Sequence, residues 1–142
     1  MTPLNKDQKQ NIIERINFMK VELSDLTSQY QNIDWQTYSN NREIRRNVER
    51  IIENLANASI DIAKILLAGE TVEIPGTYQE IIVKLGEVNF ISKDLAGKIA
   101  SLAKARNFLA HQYLDLKWDL IKPILKECPA YLNEFINSLQ LS

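Results

Sequence analysis

Apolar residues in the first half of the chain recur at alternating steps of three and four, which places them on one face of an α-helix. This spacing predicts one long helix over residues 7–30 and a second from residue 44 to Gly69, because glycine readily ends helices. Residues 32–41 are rich in Asn, Asp and Ser, which favour turns and caps, and predict a turn or short helical link. The apolar positions are Ile12, Ile16, Met19, Leu23, Leu26 and Tyr30, then Ile44, Val48, Ile51, Leu55, Ile62 and Leu66.

The second half of the chain predicts shorter helices separated by turns. Thr77 and Glu80 have the spacing of a capping box and predict a short third helix. Ser92 is suited to capping a fourth helix, whose face is formed by Leu95, Ile99, Leu102, Arg106, Leu109 and Tyr113. A further stripe comprises Leu116, Leu120, Ile124 and Leu125, with a kink predicted at Pro123 and a last piece, residues 131–139, divided off by Pro129. The chain therefore predicts an all-α, up-and-down bundle of about five helices.

Length and composition indicate a single globular domain covering residues 1–142. The chain is 45% hydrophobic and 25% charged, with few Gly and Pro residues. Its one cysteine, Cys128, cannot form an internal disulfide, and its first residues lack the apolar segment of a signal peptide. No apolar run approaches the roughly 20 residues that a membrane-spanning helix needs. We therefore expect a cytoplasmic protein without a membrane anchor.

A net charge of −1 lacks the overall basic excess that is typical of nucleic-acid-binding proteins. Contact with RNA would have to come from a local patch, and Arg42, Arg46 and Arg50 recur every four residues along one helical stripe. Glu43 and Glu49 balance part of this charge, so the segment taken alone is more typical of a solvated helix face. Lys104 is a further candidate contact.

The most distinctive segment is RNFLAHQY, which contains Arg106, Asn107, the only histidine, His111, and Tyr113. On a regular helix Arg106 and His111 point about 140° apart, so they converge only if the helix bends or ends. Phe108, with Leu109 and Ala105, is expected to anchor this turn in the core, so that the polar residues border a cleft.

These residue types support acid–base catalysis on a phosphodiester. Imidazole exchanges protons near neutral pH, and a guanidinium group matches phosphate oxygens. RNA carries its own nucleophile, the 2′-hydroxyl group, so such a pair can suffice without a metal ion. One histidine and one cysteine cannot build a zinc site. Considered separately, the histidine could simply be a cation at a helix C-terminus, the arginine an ion-pair partner and the tyrosine a core aromatic.

Together these residues resemble the signature of the HepT-like toxins of the HEPN superfamily, whose hallmark is Arg, four to six residues, then His. The resemblance extends over nearly the whole chain, including the second-helix segment VERIIENLANASIDIAKILLAGE and the final LKWDLIKPILKECPAYLNEFI. It implies a metal-independent endoribonuclease that needs no cofactor. It further implies the toxin of a toxin–antitoxin pair, whose antitoxin is a nucleotidyltransferase of the MNT type.

The resemblance also assigns roles to residues. Arg106 and His111 become the catalytic pair, Asn107 orients them, and Tyr113 is the tyrosine that such antitoxins can modify with AMP. An acidic residue of the second helix often faces the motif in HEPN proteins, with Asp61 the better match and Glu53 the second choice. Many relatives have a histidine where this chain has Lys64.

A single histidine per chain cannot serve as both proton acceptor and proton donor in one step. A two-fold homodimer would bring two copies of the motif into one cleft, and HEPN ribonucleases are similar in forming such composite sites. Transfer RNA is the favoured substrate, with messenger RNA as an alternative. A different interpretation is a non-catalytic HEPN binding module that assists a nucleotidyltransferase, because the fold alone does not determine function.

Overall fold

A computed structural model describes residues 3–70, 73–110 and 113–139 of the chain. These residues form six α-helices and one π-helical segment and contain no β-strand. The helices are α1 Lys6–Asp25, α2 Trp35–Asn40, α3 Arg42–Ala68, α4 Tyr78–Glu87, α5 Lys93–Leu109 and α6 Leu114–Ser138, with the π-helical segment at Leu26–Tyr30. The prediction of an all-α bundle is confirmed.

The first helix begins with a capping box. Asn5 accepts a hydrogen bond from the backbone N–H of Gln8 (2.8 Å), and the Gln8 side chain accepts one from the N–H of Asn5 (2.9 Å). All six predicted apolar positions of this helix are buried. The predicted helix over residues 7–30 is confirmed, with the qualification that its last five residues are π-helical.

The predicted link over residues 32–41 contains a short helix of its own. Asp34 caps α2 by accepting a hydrogen bond from the N–H of Thr37 (2.8 Å), and this bond lowers the pKa of the Asp34 carboxyl group. Asn41 ends α2 and caps α3 by accepting from the N–H of Ile44 (3.1 Å). The Asn- and Asp-rich composition of the link therefore supplies both caps.

The connection between α4 and α5 is a tight turn that holds the two helices together. Thr77 and Ser92 cap α4 and α5, as the sequence predicts. At the end of α4 the N–H of Phe90 donates to the Leu85 carbonyl, and Asn89 takes the left-handed conformation with φ of 67°. This closing motif brings the start of α5 back against α4.

Two boundary predictions are wrong. The fourth predicted helix, α5, ends at Leu109 with Ala110 as its C-terminal cap, and Tyr113 is the N-cap of α6 rather than a residue of α5. Nor is the last part of the chain divided, because α6 continues through Pro123 and Pro129. The physical reason is tertiary packing. Pro129 is buried, and the contacts of a long apolar face offset the roughly 3 kcal/mol that each proline costs a helix.

The buried face of α6 also differs from the predicted stripe. Leu125 is buried as predicted, but Leu116 is 49% exposed, and the buried face includes Trp118 and Ile121, which lie outside the predicted stripe. The second long helix, α3, lies at the centre and packs against α1, α2, α4 and α5, while α5 also packs against α4 and α6. Throughout the described ranges, each helix is too short or too polar to cross a bilayer.

Candidate active site

Arg106 lies in the last turn of α5, with its guanidinium carbon 5.3 Å from the centre of the Tyr78 ring. Its Nε atom is buried, and no group in the described part of the chain accepts a hydrogen bond from it. Lys64 of α3 also contacts the ring, with Nζ 5.0 Å from its centre. Tyr78 therefore holds the guanidinium group by a cation–π contact rather than by an ion pair.

A cleft of about 420 Å³ adjoins Arg106, and we call it the motif cleft. Its walls come from α3 and from the end of α5: Glu49, Glu53, Arg106, Asn107, Leu109 and Ala110. The structure thus brings Arg106 and Asn107 of the predicted site together with two carboxylates of α3. Arginine, amide and carboxylate groups in one cleft can bind a phosphate and support proton transfer beside it.

His111 and Gln112 lie outside the described residues. Ala110, which directly precedes His111 in the sequence, lines the motif cleft. Because α5 ends at Leu109, one of the conditions under which Arg106 and His111 can converge is met. Because Tyr113 belongs to the start of α6, the geometry expected from one continuous helix through Arg106 and Tyr113 is wrong, and the Tyr113 side chain is 82% exposed.

The anchoring of the motif is partly as predicted. Leu109 and Ala105 are buried, whereas Phe108 is 42% exposed and points away from the core. On α5, positions 105 and 109 face inward at a spacing of four, and position 108 lies about 100° from 109. Phe108 is therefore a surface residue of the RNFLAHQY segment.

The two acidic candidates occupy different places. Asp61 Oδ2 lies 3.5 Å from Nε of Arg15 on α1, in a groove whose lining includes none of the motif residues that the structure describes. Glu53 lines the motif cleft with Arg106. The order of preference in the sequence analysis, Asp61 before Glu53, is therefore not supported by their positions.

Glu49 is a functional candidate that the sequence analysis treated only as a balancing charge. Its Oε1 accepts a hydrogen bond from Lys117 Nζ (3.0 Å) and its Oε2 accepts one from the hydroxyl group of Tyr38 (3.1 Å). Burial, followed by the charge of Glu49, raises the pKa of Tyr38. The spacing of Glu49 and Glu53, four residues on one helix, is the signal that could have identified this pair of carboxylates.

The arginine stripe of α3 forms part of a second groove, which we call the cationic groove. It encloses about 320 Å³ and is lined by Arg42, Arg45, Arg46, Glu49, Arg50, Glu53 and Lys117. Arg45 is already engaged, because it donates to the carbonyl oxygens of Tyr38 and Ser39 (3.2 and 2.6 Å). Since Glu49 and Glu53 line both spaces, the cationic groove adjoins the motif cleft.

Lys104 lies in a third space, on the other side of Asn107. This groove between α4 and α5, which we call the aromatic groove, encloses about 710 Å³ and includes Tyr78 and Phe108 among its lining residues. Lys104 is thus not part of the arginine stripe, although both border the motif. Among the described residues, no three His, Cys, Asp or Glu side chains converge as a metal site would require.

Comparison with known proteins identifies the family. A family model described as HepT-like ribonuclease matches residues 19–139, most of the chain. The chain belongs to the HepT-like ribonuclease family. The resemblance inferred from RNFLAHQY and its surroundings is therefore confirmed at the level of the family.

Individual relatives agree with this assignment. The chain is 28% identical over 118 residues to the tRNA nuclease HepT of Aphanizomenon flos-aquae (strain 2012/KM1/D3), covering 80% of each protein. In fold it is similar to a chain of the complex between the tri-AMPylated HEPN toxin of Shewanella oneidensis and MNT antitoxin, with a TM-score of 0.80, 20% identity, and 96% and 98% of the two chains covered. YutE of Bacillus subtilis, a cytosolic protein of unknown function, is similar at a TM-score of 0.68 and 18% identity, with 100% and 99% covered. At these identities the solved structures establish that the HepT-like chain has the HEPN fold.

Proposed function

We propose that this HepT-like chain is a metal-independent endoribonuclease and the toxin of a toxin–antitoxin pair. The observation that carries the proposal is the placement of Arg106 in the wall of the motif cleft, with its guanidinium group held against the Tyr78 ring. A partly buried arginine that has no carboxylate partner in the described part of the chain leaves its charge available to an anionic substrate.

In the proposed reaction the 2′-hydroxyl oxygen attacks the adjacent phosphorus atom. The His111 imidazole takes the hydroxyl proton, while Arg106 stabilises the negative charge that develops on the phosphoryl oxygens. The bond between phosphorus and the 5′-oxygen then breaks as this oxygen receives a proton. The products are a 2′,3′-cyclic phosphate and a 5′-hydroxyl end.

Asn107 and Glu53 are assigned supporting roles. Both line the motif cleft, where an amide can orient the catalytic pair and a carboxylate can stabilise protonated imidazole. Glu53 fits this role better than Glu49, because its ion pair with Arg50 is long, at 3.8 Å, and leaves the carboxylate less engaged. Both carboxylate oxygens of Glu49 are already hydrogen-bonded.

RNA is proposed to approach along the cationic groove, with Arg42, Arg46 and Arg50 contacting phosphates and Lys104 binding on the far side of the motif. The continuity of the cationic groove with the motif cleft supports this path. Transfer RNA is the proposed substrate class because the Aphanizomenon relative is a tRNA nuclease. Messenger RNA remains the alternative that sequencing of cleaved ends would identify.

The active unit is proposed to be a two-fold homodimer in the cytoplasm. A second copy of the motif would supply the imidazole that protonates the leaving oxygen, since each chain has one histidine. The proposed antitoxin is an MNT-type nucleotidyltransferase that attaches AMP to Tyr113. The exposure of Tyr113 supports this assignment, because a modifying enzyme can reach its hydroxyl group.

The test is RNA cleavage and growth arrest by Arg106→Ala and His111→Ala. Each variant should lose at least about a hundredfold in cleavage rate, as expected for removal of a catalytic proton carrier or charge stabiliser. Arg15→Ala is the matched control, because the Nε hydrogen of this partly buried arginine also finds no hydrogen-bond acceptor among the described residues, yet Arg15 lies outside the motif cleft. Full activity in either motif variant would refute the assignment.

Metal independence and the dimer are tested on the same protein. Cleavage should persist in excess EDTA and give 2′,3′-cyclic phosphate ends, and loss of activity that magnesium restores would refute the mechanism. A mixture of inactive Arg106→Ala and His111→Ala chains should regain activity if one complete cleft forms between them. A monomer that cleaves RNA at dilute concentration would exclude the composite site.

A further inference from the structure

The aromatic groove has a different chemical character from the cationic groove. Phe108 and Tyr78 are 42% and 40% exposed, a large fraction for aromatic rings, and both line it. Lys104 and Phe108 are four residues apart on α5 and therefore lie one above the other on the same face. Asn107, three residues after Lys104, completes this face.

The aromatic groove is continuous with the motif cleft. Asn107 lines both spaces, and Arg106 of the cleft contacts Tyr78 of the groove. A strand bound in the motif cleft can therefore continue into the aromatic groove. The enclosed volume of about 710 Å³ falls within the range of sites that accommodate a ligand the size of a nucleotide.

The two aromatic rings have distinct roles. The Tyr78 ring already contacts Arg106 and Lys64, so its function is to position a cation. Phe108 has no aromatic or cation–π partner among the described residues. Its exposed face can stack on a nucleobase, an interaction that is tolerant of sequence because every base has an aromatic face.

The aromatic groove is lined by two glutamates, Glu80 and Glu87, as well as two lysines, so the feature that favours RNA is a local one: Lys104 lies beside the exposed ring of Phe108. Lys84 forms an ion pair with Glu87 (3.0 Å), whereas Lys104 forms none with a carboxylate of the described residues. An ammonium group one helical turn from an exposed ring matches the alternation of phosphate and base along a single strand.

We propose that the aromatic groove is an RNA subsite, in which Phe108 stacks on the base next to the scissile phosphodiester and Lys104 binds the following phosphate. The inference rests on the proposed ribonuclease function and extends it. The motif cleft then lies between two RNA-binding surfaces. The cationic groove binds RNA through charge, and the aromatic groove binds it through base stacking.

The test measures binding of a fluorescein-labelled single-stranded RNA to the full chain carrying His111→Ala, by fluorescence anisotropy between 50 and 300 mM KCl. Adding Phe108→Ala should weaken binding about tenfold while leaving the slope of log Kd against log salt unchanged. Adding Lys104→Ala should weaken binding and reduce that slope by about one. Phe108→Trp should retain or improve affinity.

Matched controls exist on other faces of the protein. Phe18 on α1 is 45% exposed, and Lys98 on α5 lies near the start of the helix in an ion pair with Asp94, so Phe18→Ala and Lys98→Ala should leave Kd unchanged. Equal Kd for Phe108→Ala and the parent would overturn the proposal. So would a changed sedimentation coefficient in Phe108→Ala, which would identify the groove as a protein interface.

Failure of this proposal can be separated from failure of the proposed function. If Arg106→Ala abolishes cleavage but Phe108→Ala does not alter RNA binding, only the subsite is wrong. If Arg106→Ala cleaves RNA normally, the proposed active site is wrong, whatever the binding measurements give.

Discussion

The ammonium group of Lys117 on α6 lies 3.0 Å from the Oε1 atom of Glu49 on α3. Both side chains are only 21% exposed, and Tyr38 of α2 donates to the other oxygen of the same carboxylate. One carboxylate thus joins three helices at the border of the cationic groove. The hydrogen bonds of Glu49, which lines the motif cleft, therefore also stabilise the fold.

We expect the two donors of Glu49 to be energetically coupled. Lys117→Met and Tyr38→Phe should each lower the free energy of unfolding by about 1 kcal/mol, because each removes a hydrogen bond to a partly buried charge. The double variant should depart from the sum by about 0.5 kcal/mol or more, since Glu49 then loses both partners. Urea unfolding of the four proteins gives the cycle, and strictly additive effects would contradict the network.

Tyr78 should act as a positioning residue for Arg106. Tyr78→Phe keeps the ring face and should cleave RNA at nearly the rate of the parent, whereas Tyr78→Leu should lower kcat about tenfold with little change in KM. Rescue by phenylalanine distinguishes support of the guanidinium group from a role of the hydroxyl group. Equal losses in the two variants would show that the cation–π contact is not the cause.

Because the Cys128 thiol is buried, we expect the protein to lose stability at alkaline pH. Burial raises its pKa from 9.0 to about 12 in the folded protein. Between these values the unfolded chain releases a proton that the folded chain retains, so stability is lost as pH rises above 9. The Cys128 contribution should be about 1 kcal/mol from pH 9 to pH 10, and Tyr38 and Tyr131, whose pKa burial also raises, add to the loss as pH approaches 10.

Cys128→Ala provides the comparison for this pH dependence. The variant should be less stable at pH 7 because of the cavity it creates, yet lose less stability than the parent between pH 9 and pH 10. Chemical unfolding at several pH values measures both effects. An unchanged slope in the variant would assign the alkaline loss to other groups.

The close contact between α4 and α5 depends on Gly86. A Cβ atom added there would lie 2.9 Å from Cβ of Ala96 and 3.2 Å from Cα of Lys93, so Gly86→Ala should lower stability by about 1–3 kcal/mol. Gly97→Ala on α5 meets no atom within 4 Å and should raise stability by up to about 1 kcal/mol. Thermal unfolding compares the two, and similar shifts in Tm would contradict this packing.

Modification at Tyr113 is tested by co-expression with the cognate nucleotidyltransferase. Tyr113→Phe should remain toxic in its absence and should acquire no AMP in its presence. In the parent an attached AMP would add negative charge two residues from His111 and repel RNA phosphates. Mass spectrometry locates the adduct, and AMP found on a different residue would leave Tyr113 without this role.

Much of the fold could be predicted from the sequence because long amphipathic helices carry a strong periodic signal. All six apolar positions of the first helix are buried, and Thr77 and Ser92 cap helices as expected. The continuity of α6 could not be predicted, because proline opposes helix formation locally and only tertiary packing overrides it.

The residue types of the site could be predicted from the sequence, but the residues that lie beside them in the fold could not. The polar cluster RNFLAHQY pointed to Arg106, whereas its contact with Tyr78 joins positions far apart in sequence. The choice between Asp61 and Glu53 depends on which face of α3 meets α5. Both lie on one helix two turns apart, so periodicity alone does not distinguish them.

Because α5 ends at Leu109, the helix does not fix the number of residues that can separate the arginine and the histidine of such a motif. On an uninterrupted helix, each residue inserted between the arginine and the histidine would rotate one relative to the other by about 100°. Here the helix stops three residues after Arg106 and α6 begins at Leu114. An insertion in the link would leave the orientation of Arg106 unchanged, which accounts physically for a hallmark that tolerates spacings of four to six residues.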